Sequence, residues 1–565
     1  MLKQLLLFGC LLISTSSAPS SNLSEDWWRD TFIYQIYPRS FKDSDGDGIG
    51  DLTGITSKLD HLVDLNVSAL WMSPIFTSPQ EDFGYDIANF TDVDPIYGNL
   101  EELTKLTKEA HARGLKVILD LVPNHSSDKH PWFAKSIQRI KPYDEFYVWK
   151  DAKIINGTRQ PPNNWLSVFF GSAWEWNEQR QQYYLHQFAI SQPDLNYRSP
   201  LLRKEMENVF TFWADREIDG FRIDSLNYLV EDAEFRDQPE IPNTGLPSDD
   251  PDTQERIYTK DLPENYDILG SWRAILDSRK DRRYILLTEV YADLPLQVKF
   301  YDYGSNVPFN FMFVVGLNNK STPLDFKRKI DEWNNNIPKG HDYMANWVVD
   351  NHDNKRTSDR FGIQRADQIS MLAAILPGIG VIYNGDEIGM EDTFISWEDT
   401  VDTEGCSAGP DRYLQLSRDA ERTPFQWDST KNAGFSNGNR TWLPVNDNYK
   451  TLNLEAQKGN PTSHYNIMKK LIDSKKLPII RDGSTEVVLA TENVLTVVRR
   501  LEDNFPIVLL INFLSEPVTI DASAWLNIPT SMNVYVASVG SNIPFGATLD
   551  TTALTLPGAA SVVLH

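Results

Sequence analysis

Short apolar runs alternate along the chain with stretches whose apolar residues recur at helical spacing. The strand-like runs are Phe32–Phe41, Val67–Ile75, Leu115–Val122, Gly220–Asp224, Tyr284–Val290, Val307–Val314, Ala345–Asp350 and Gly380–Tyr383. Between the first two runs, Leu59, Leu62 and Leu65 follow a helical period. Alternating strands and helices predict a parallel sheet, and eight such units predict an α/β fold of the (β/α)₈ barrel type.

Two segments depart from this alternation. Residues 126–198 are rich in Trp, Tyr, Asn and Gln and show little helical periodicity, which predicts a subdomain inserted after the third strand. Beyond about residue 480, short runs rich in Val, Ile and Thr predict an all-β C-terminal domain. The predicted division is a barrel over 19–125 and 199–480, an inserted subdomain over 126–198, and a β-domain over 481–565. The Pro- and Asp-rich stretch Glu231–Asn265 predicts a loop at the barrel mouth.

The N-terminal residues 1–18 resemble a signal peptide. Lys3 precedes the apolar stretch Leu5–Ile13, and small residues follow as far as Ala18. We therefore expect a secreted protein without a membrane anchor. Removal of this segment would take Cys10 with it and leave Cys406, for which a free thiol is expected.

Charge and composition narrow the range of partners. The formal net charge is −25, which disfavours nucleic acid and suits a neutral or cationic substrate. Seven Asn-X-Ser/Thr sequons are present, and in a eukaryotic secretory pathway we expect glycans on several of them. Asn124 is the doubtful sequon because it falls within a candidate active-site motif. The predicted glycosylation sites are Asn22, Asn66, Asn89, Asn156, Asn319 and Asn439.

Several predicted strands end in a carboxylate. These residues are Asp120, Asp224, Glu289 and the pair Asp350 and Asp353. Strand ends of a barrel build its active site, and a carboxylate there is costly to bury without partners or a task. Paired carboxyl groups suit glycoside hydrolysis, in which one is the nucleophile and the other is the acid and then the base.

The segments around these carboxylates resemble the signature regions of the α-amylase family (glycoside hydrolase family 13). They occur in the family's order, and the resemblance extends from about Trp27 to about Ile480. The segment Gln192–Asn196 is similar to one typical of the oligo-1,6-glucosidase and maltase branch, and the insect maltase-type α-glucosidases are the nearest group. The matching segments are Asp120–His125, Gly220–Asp224, Leu287–Val290, Val349–Asp353 and Gly378–Met390.

The resemblance implies a retaining α-glucosidase that acts on small α-glucosides without an organic cofactor. Asp224 would be the nucleophile, Glu289 the acid/base, and Asp353 the residue that stabilises the transition state. Arg222 would orient Asp224 and keep it ionised. Further residues would bind the sugar, namely Tyr85, Asp86, His125, Phe188, Gln192, His352 and Arg422.

Two of these residues carry the argument for exo action. An Arg422–Asp86 pair would clamp a terminal hydroxyl and close the pocket behind the first glucose, so that one glucose leaves per event. Ser225 is small and polar where relatives that prefer α-1,6 bonds tend to carry Val. This difference predicts a preference for maltose and sucrose over isomaltose.

The segment Asp43–Asp51 predicts a metal site. Its carboxylates occupy positions 1, 3, 5 and 9 of an EF-hand-like loop, but position 12 is Gly54 rather than Glu. It resembles the calcium loop of this branch of the family. The expected ion is a structural Ca²⁺, with Mg²⁺ as the alternative, and the expected ligands are Asp43, Asp45, Asp47, Ile49 and Asp51.

Two other functions stay open at this point. A transglucosylase or sucrose isomerase would use the same site and differ only in the acceptor. A catalytically silent relative, such as the heavy subunits of amino-acid transporters, would act as a binding protein. The sequence does not indicate the oligomeric state.

Overall fold

Eight parallel strands form the central sheet of the computed structural model, which describes residues 27–29, 31–340 and 343–565. The predicted signal peptide and Asn22 lie outside these residues. Each strand falls within or beside a predicted apolar run, so the predicted barrel fold is confirmed. The strands are β1 (Phe32–Ile36), β2 (Ala69–Met72), β3 (Lys116–Leu121), β4 (Gly220–Ile223), β5 (Ile285–Thr288), β6 (Val307–Pro308), β7 (Asn346–Val348) and β8 (Ile379–Tyr383).

Two strands are shorter than their apolar runs because prolines interrupt them. Pro38 begins a helical turn, Pro38–Phe41, within the first run. Pro308 has no N–H to donate, and it ends β6 after two residues. Side chains bridge the resulting seam between β6 and β7: the Asn346 side chain accepts from Asn310 N at 2.7 Å and donates to Pro308 O at 2.7 Å. The barrel is thereby nearly closed.

A helix follows each barrel strand and packs on its outer side. The helix Pro200–Ala214 illustrates why these segments are helical and pack on the sheet. Ser199 caps its first turn, and its buried face includes Met206, Phe210 and Trp213. The eight helices that follow the strands are Leu59–Leu65, Leu100–Ala112, Pro200–Ala214, Glu264–Ser278, Leu294–Lys299, Pro323–Asn336, Ala366–Ile375 and His464–Ser474. Shorter helices lie in the loops, at Leu52–Ser57, Thr357–Phe361, Thr403–Ala408, Tyr413–Leu416, Leu454–Lys458 and Pro478–Arg481.

The segment between β3 and β4 forms a small subdomain. Its antiparallel sheet orders Trp149–Lys150, Gln182–Leu185 and Trp174–Asn177, and a separate hairpin pairs Lys153–Ile155 with Thr158–Gln160. A helix, Pro131–Ile137, was not evident from periodicity; a proline at its start and the His130 side chain as cap define it. A cluster of its own centres on Trp165 and Trp174. Before it, Phe76–Thr77 pairs with Asn89–Val93.

The C-terminal domain is all-β, as predicted. Alternate residues of its main sheet face opposite ways: Leu495 and Leu509 join the core shared with the barrel, whereas Val494 and Val508 form a second cluster. This sheet contains Ser484–Thr491, Val494–Arg500, Ile507–Asn512, Ser561–Leu564, Ser531–Ala537 and Thr548–Asp550, and a smaller one pairs Val518–Ile520 with Leu554–Leu556. Within the described residues, every helix is too short or too polar to cross a bilayer.

Candidate active site

The carboxylates at the strand ends meet in one cavity at the C-terminal mouth of the barrel. Asp224 follows β4 directly, Glu289 follows β5, and Asp353 lies in the loop after β7. The cavity has a volume of about 240 Å³. It is lined by Asp82, Tyr85, His125, Val168, Phe169, Phe188, Asp224, Ser225, Asn227, Tyr228, Glu289, Tyr291, His352, Asp353, Asn354, Glu404 and Arg418.

Arg222 holds three of the carboxylates together. Its Nη1 lies 2.8 Å from Asp120 Oδ1 and 2.6 Å from Asp224 Oδ1, while Nη2 lies 2.7 Å from Glu289 Oε1. Arg222 is buried, so its charge is poorly screened and favours ionised partners. Two carboxyl groups held by one guanidinium lie close together, as the ~5 Å separation of retaining glycosidases requires.

Glu289 is a carboxyl group that its burial biases towards the protonated form. Burial, opposed by Arg222 but reinforced by the nearby Asp224 and Asp353, raises its pKa well above the ordinary value. Ser225 donates its backbone N–H to Glu289 Oε2 at 3.1 Å. Ser225 takes a left-handed φ of 44°, an uncommon conformation for a residue with a side chain. The turn therefore fixes the second oxygen of Glu289.

Asp353 is held as a carboxylate. Its burial would raise the pKa, but His352 and the positive charges of Arg422 and Arg418 lower it below its usual range. Arg422 Nη2 lies 2.7 Å and Arg418 Nη1 3.3 Å from Asp353 Oδ1. Glu289 and Asp353 thus differ in protonation because only Asp353 contacts two arginines.

Tyr85 and the two predicted histidines form one wall. The Tyr85 ring stacks on His352 with centroids 5.2 Å apart and planes 9° apart, and its hydroxyl donates to Asp120 Oδ2 at 3.2 Å. His125 Nε2 lies 3.0 Å from Tyr85 O. Burial lowers the pKa of His125 to about 4 and that of His352 well below its ordinary value. Both imidazoles are neutral near pH 7 and can offer hydrogen bonds without adding positive charge.

The predicted Asp86–Arg422 clamp is wrong. Asp86 lies outside the cavity lining, and its oxygens accept from Ser78 Oγ, Glu81 N and Asp82 N at 2.8–3.1 Å. These three donors direct the Asp86 carboxylate away from the cavity, where it stabilises its own loop. Arg422 also lies behind the cavity wall, where it contacts Asp353 and donates from Nε to His352 O at 2.7 Å.

The clamp in the structure is Asp82–Arg418, two residues that the sequence analysis missed. Arg418 Nη2 lies 3.1 Å from Asp82 Oδ1, and both side chains line the cavity. Asp402 also binds Arg418 Nη2, at 2.6 Å, and keeps the arginine in place. Gln192, which does not line the cavity, donates from Nε2 to Asp82 Oδ2 at 2.9 Å. An acid three residues before Tyr85 was a signal that could have found Asp82.

The outer half of the cavity is apolar and comes mainly from the inserted subdomain. Phe188 packs against His125, Phe169 and Tyr228 with ring centroids 5.2–5.7 Å apart. The buried Gln187 connects these walls, since its O accepts from Val168 N at 2.8 Å and its Nε2 donates to Tyr228 O at 2.9 Å. A polar inner half and an aromatic outer half suit a sugar followed by a second ring.

Part of the predicted metal loop forms a compact group of carboxylates. One oxygen each from Asp43, Asp45 and Asp51 lies within 4.8 Å of the others. Asp47 is not in this group, and its Oδ1 accepts from Ile49 N at 2.7 Å. Three hard oxygen donors at this spacing fit Ca²⁺, whose ligands lie at about 2.3–2.6 Å.

The sequons differ in exposure. Asn124 is buried, in keeping with its exclusion. Asn66 is half-buried: its Nδ2 donates to Asp473 and its Oδ1 accepts from Lys476 Nζ at 2.6 Å. The exposed sequon residues are Asn89, Asn156, Asn319 and Asn439. Cys406 is exposed and free.

Comparison with known sequences places the chain among carbohydrate-active enzymes. Residues 35–483 match the α-amylase catalytic domain. The chain is 45% identical over 542 residues to an α-glucosidase of Apis mellifera, covering 96% of this chain and 95% of that protein. It is 44% identical over 563 residues to Maltase A1 of Drosophila melanogaster, covering 96% of each.

Solved structures with the same architecture include an α-glucosyl transfer enzyme and a trehalulose synthase. The α-glucosyl transfer enzyme XgtA superposes with a TM-score of 0.83 at 32% identity, covering 95% of this chain and 99% of that one. The trehalulose synthase MutB from Pseudomonas mesoacidophila MX-45 gives a TM-score of 0.82 at 30% identity, with the same coverage.

Proposed function

The chain belongs to the α-amylase family, and we propose that it is a retaining, exo-acting α-glucosidase of the maltase and sucrase type. The observation that carries this proposal is the shared pairing of Asp224 and Glu289 with Arg222, in a cavity lined by the Asp82–Arg418 clamp. The first feature supplies a close pair of carboxyl groups, of which Glu289 has a raised pKa. The second limits the pocket to the end of a sugar chain.

In the first step, Asp224 attacks the anomeric carbon and Glu289 gives its proton to the departing oxygen. The bond from carbon to the leaving oxygen breaks as the bond to Asp224 forms. Asp353, held ionised by two arginines, stabilises the positive charge that develops on the sugar ring. Arg222 fixes the direction of Asp224, because its Nη1 contacts Asp224 Oδ1 while its contacts to Asp120 and Glu289 hold the guanidinium in place.

In the second step, Glu289 acts as a base. It takes a proton from water, the hydroxide attacks the anomeric carbon, and Asp224 leaves. Two displacements restore the original configuration, so the first product is α-glucose. The raised pKa of Glu289 in the free enzyme favours the first step, and loss of the Asp224 charge in the intermediate favours the second.

The Asp82–Arg418 clamp would bind the hydroxyl at the non-reducing end. A charged pair at the closed end of a cavity can accept from and donate to one hydroxyl group. A longer chain could not continue past it, so one glucose would leave at each event. Ser225, which lines the cavity beside the aromatic outer half, supports the predicted preference for maltose and sucrose.

The test is proton NMR of the purified protein acting on maltose and on p-nitrophenyl α-glucoside, with an Asp224→Asn variant. We expect α-glucose to appear first and the folded variant to lose activity by several orders of magnitude. If β-glucose appeared first, the two-step mechanism would be wrong. Absence of glucose release from maltose, sucrose and isomaltose would contradict the proposed function.

Transglucosylation is a second candidate reaction at the same site. The structural relative described as an α-glucosyl transfer enzyme and the apolar part of the cavity favour it, because a bound sugar acceptor could compete with water. We expect hydrolysis to dominate at low sugar concentration and transfer products to appear as maltose increases. A catalytically silent function has no comparable support, because the catalytic groups are complete and adjacent.

We also propose that the loop Asp43–Asp51 binds a structural Ca²⁺, or Mg²⁺ in its place, through Asp43, Asp45 and Asp51. Asp47 and the carbonyl of Ile49 would complete the set. Bound metal would neutralise carboxylates that otherwise repel one another and would raise the melting temperature. Chelation followed by dialysis should lower it, and restored Ca²⁺ should recover it. An unchanged melting temperature, with Asp43→Asn as the comparison, would exclude a stabilising metal.

Secretion is proposed from the N-terminal segment and from relatives described as salivary α-glucosidases. Glycans on exposed sequons would accompany it. Sequencing the mature N-terminus of the protein expressed in insect cells tests the predicted cleavage after about Ala18. A retained N-terminal segment in the medium would contradict it.

A further inference from the structure

The wall of the cavity that contains His352 is three rings thick. The His352 imidazole lies between Tyr85, with ring centroids 5.2 Å apart, and Tyr37, with ring centroids 5.5 Å apart and planes 26° apart. All three side chains are buried. The two tyrosines fix the plane of the imidazole, so the position of its proton decides which ring nitrogen can donate a hydrogen bond.

One edge of this imidazole contacts a side chain of the first barrel strand. Gln35, in β1, is fully buried, and its Nε2 lies 2.8 Å from His352 Nδ1. The same Nε2 donates to Ser73 Oγ at 3.2 Å. Gln35 Oε1 is buried and has no hydrogen-bond partner among the described residues. A buried amide oxygen without a partner is costly, so the contact made by the NH₂ group of Gln35 calls for an explanation.

The other edge of the imidazole determines where its proton lies. His352 Nε2 lies 3.4 Å from Asp353 Oδ2, and Arg422 and Arg418 contact the other oxygen of Asp353 and hold this residue as a carboxylate. A bare Nε2 would turn its lone pair toward a negative oxygen and be repelled, so Nε2 carries the proton. Burial lowers the pKa of His352 well below its ordinary value, so the ring is neutral and has a single N–H. Nδ1 is therefore an acceptor.

Gln35 is placed to supply the donor that Nδ1 needs. In the opposite orientation of the amide, Gln35 Oε1 would face the Nδ1 lone pair, and two acceptors would lie about 2.8 Å apart. With the NH₂ group toward His352, one of its protons reaches Nδ1 and the other reaches Ser73. This arrangement leaves Oε1 as the amide atom without a partner, as observed among the described residues.

We propose that Gln35 is a positioning residue that holds His352 in the tautomer with its proton on Nε2. The inference deepens the proposed α-glucosidase function and rests on that function for its kinetic consequences. In this tautomer the ring can donate to Asp353 or to a glucose hydroxyl group without adding positive charge. In the other tautomer it would offer a lone pair to Asp353, and as an imidazolium it would oppose the cationic transition state.

The first test is NMR of the protein labelled with ¹⁵N on histidine, because protonated and bare ring nitrogens differ widely in chemical shift. The chain has nine histidines, and the signals that are absent from His352→Gln identify those of His352. At pH 7 we expect one protonated and one bare nitrogen, with the proton on Nε2. A proton on Nδ1, or on both nitrogens, would overturn the proposal.

The exchange Gln35→Glu reverses the polarity of the contact at nearly constant shape. A carboxyl group gives its proton to an imidazole, because its ordinary pKa is about two units lower, so His352 should carry protons on both nitrogens at pH 7. The added positive charge opposes the transition state more than the bound glucoside. For p-nitrophenyl α-glucoside, kcat should therefore fall at least about tenfold while KM changes less than about threefold.

Gln35→Met keeps a similar volume and only removes the donor. It should populate both tautomers of His352 and lower kcat by a smaller factor than Gln35→Glu. Wild-type histidine signals in either folded variant would overturn the proposal, and so would a loss that is confined to KM.

Gln426→Glu is the matched control. Gln426 is also fully buried, its Nε2 donates to Asn448 Oδ1 at 3.0 Å and to Leu452 O, and its Oε1 has no partner within the described part of the chain. It lies outside the cavity lining, so this exchange should lower the melting temperature without changing the His352 signals or the kcat of the folded protein. A loss of kcat equal to that of Gln35→Glu would show a general effect of a buried carboxyl group and refute the positioning role.

The spectrum separates this inference from the proposed function. If the wild type released no glucose, but His352 carried its proton on Nε2 and lost that state in Gln35→Glu, the hydrolase function would fail and the role of Gln35 would stand. If the wild type hydrolysed maltose with the His352 proton on Nδ1, the function would stand and the role of Gln35 would be refuted.

Discussion

The exchange Asp82→Asn tests the clamp more directly than any other single change. Asp82 is 4% exposed, contacts Arg418 at 3.1 Å and Gln192 at 2.9 Å, and lines the cavity. Asparagine keeps its shape and removes its charge. A hydrogen bond to a charged group contributes about 1.5–3 kcal/mol, so kcat/KM should fall roughly 10- to 150-fold. Arg418 would stay in place, because Asp402 binds it at 2.6 Å.

Asp86→Asn is the matched comparison, since the sequence had assigned the clamp to Asp86. Three donors converge on this buried carboxylate, and an amide NH₂ would oppose at least one of them. We expect a loss of about 1–3 kcal/mol in the free energy of unfolding. The loss in kcat/KM should be at least about tenfold smaller than for Asp82→Asn.

The assay is steady-state hydrolysis of p-nitrophenyl α-glucoside and of its 4-deoxy analogue. If Asp82 binds the 4-hydroxyl, the wild type should lose a similar factor on the deoxy substrate, and Asp82→Asn should lose little more. This double-substitution cycle isolates one contact. Equal losses on both substrates would show that Asp82 acts elsewhere. A larger effect of Asp86→Asn in folded protein would refute the revised clamp.

Three further predictions concern protonation and modification. In Glu289→Gln, the fall of kcat/KM at alkaline pH should disappear for 2,4-dinitrophenyl α-glucoside, whose leaving group needs no proton. If the fall persisted, a residue other than Glu289 would be responsible for it. Asp367 outweighs burial and raises the pKa of His464, at a distance of 2.6 Å. The contact of protonated His464 with Asp367 stabilises the fold fully below pH 6.5, and this stabilisation is lost as the pH rises through the folded-state pKa. The melting temperature should therefore fall over that pH range in the wild type and fall less in His464→Gln. An equal fall in both proteins would refute this prediction. Peptide mapping should find Asn66 unmodified, because its Nδ2 is engaged with Asp473, and an attached glycan there would contradict the contact. Glycans are expected on Asn89, Asn156, Asn319 and Asn439.

The barrel could be predicted because its strands are buried on both faces. Such strands read as continuous apolar runs, and all eight appear in the sheet order of a barrel. The strand boundaries were harder to predict, since Pro38 and Pro308 end the regular strand pairing within runs that stay apolar. The helix Pro131–Ile137 escaped notice because seven residues are too few to show a period.

The catalytic carboxylates were predictable for a related reason, because the C-terminal ends of parallel barrel strands all lie at the same mouth of the barrel. Loop residues do not. Asp82 and Asp86 lie four residues apart in one loop. Three local donors hold Asp86 away from the cavity, so that Asp82 is the acid that lines it. Arg418 and Arg422 present the same ambiguity, and Arg422 lies behind Asp353 rather than beside Asp86. Side-chain pairing across loops depends on backbone turns that spacing alone does not define.

The placement of charge in the cavity explains how one site favours both bond breaking and release. Among the residues that the structure describes, five carboxyl groups and one arginine, Arg418, line the cavity, while Arg222 and Arg422 contact Asp224 and Asp353 from behind. Arg422 helps to keep Asp353 ionised without facing the substrate. Both histidines are neutral, so they add no positive charge beside the sugar. The ionised Asp353 stabilises the cationic transition state more than the neutral glucoside, and catalysis depends on that difference.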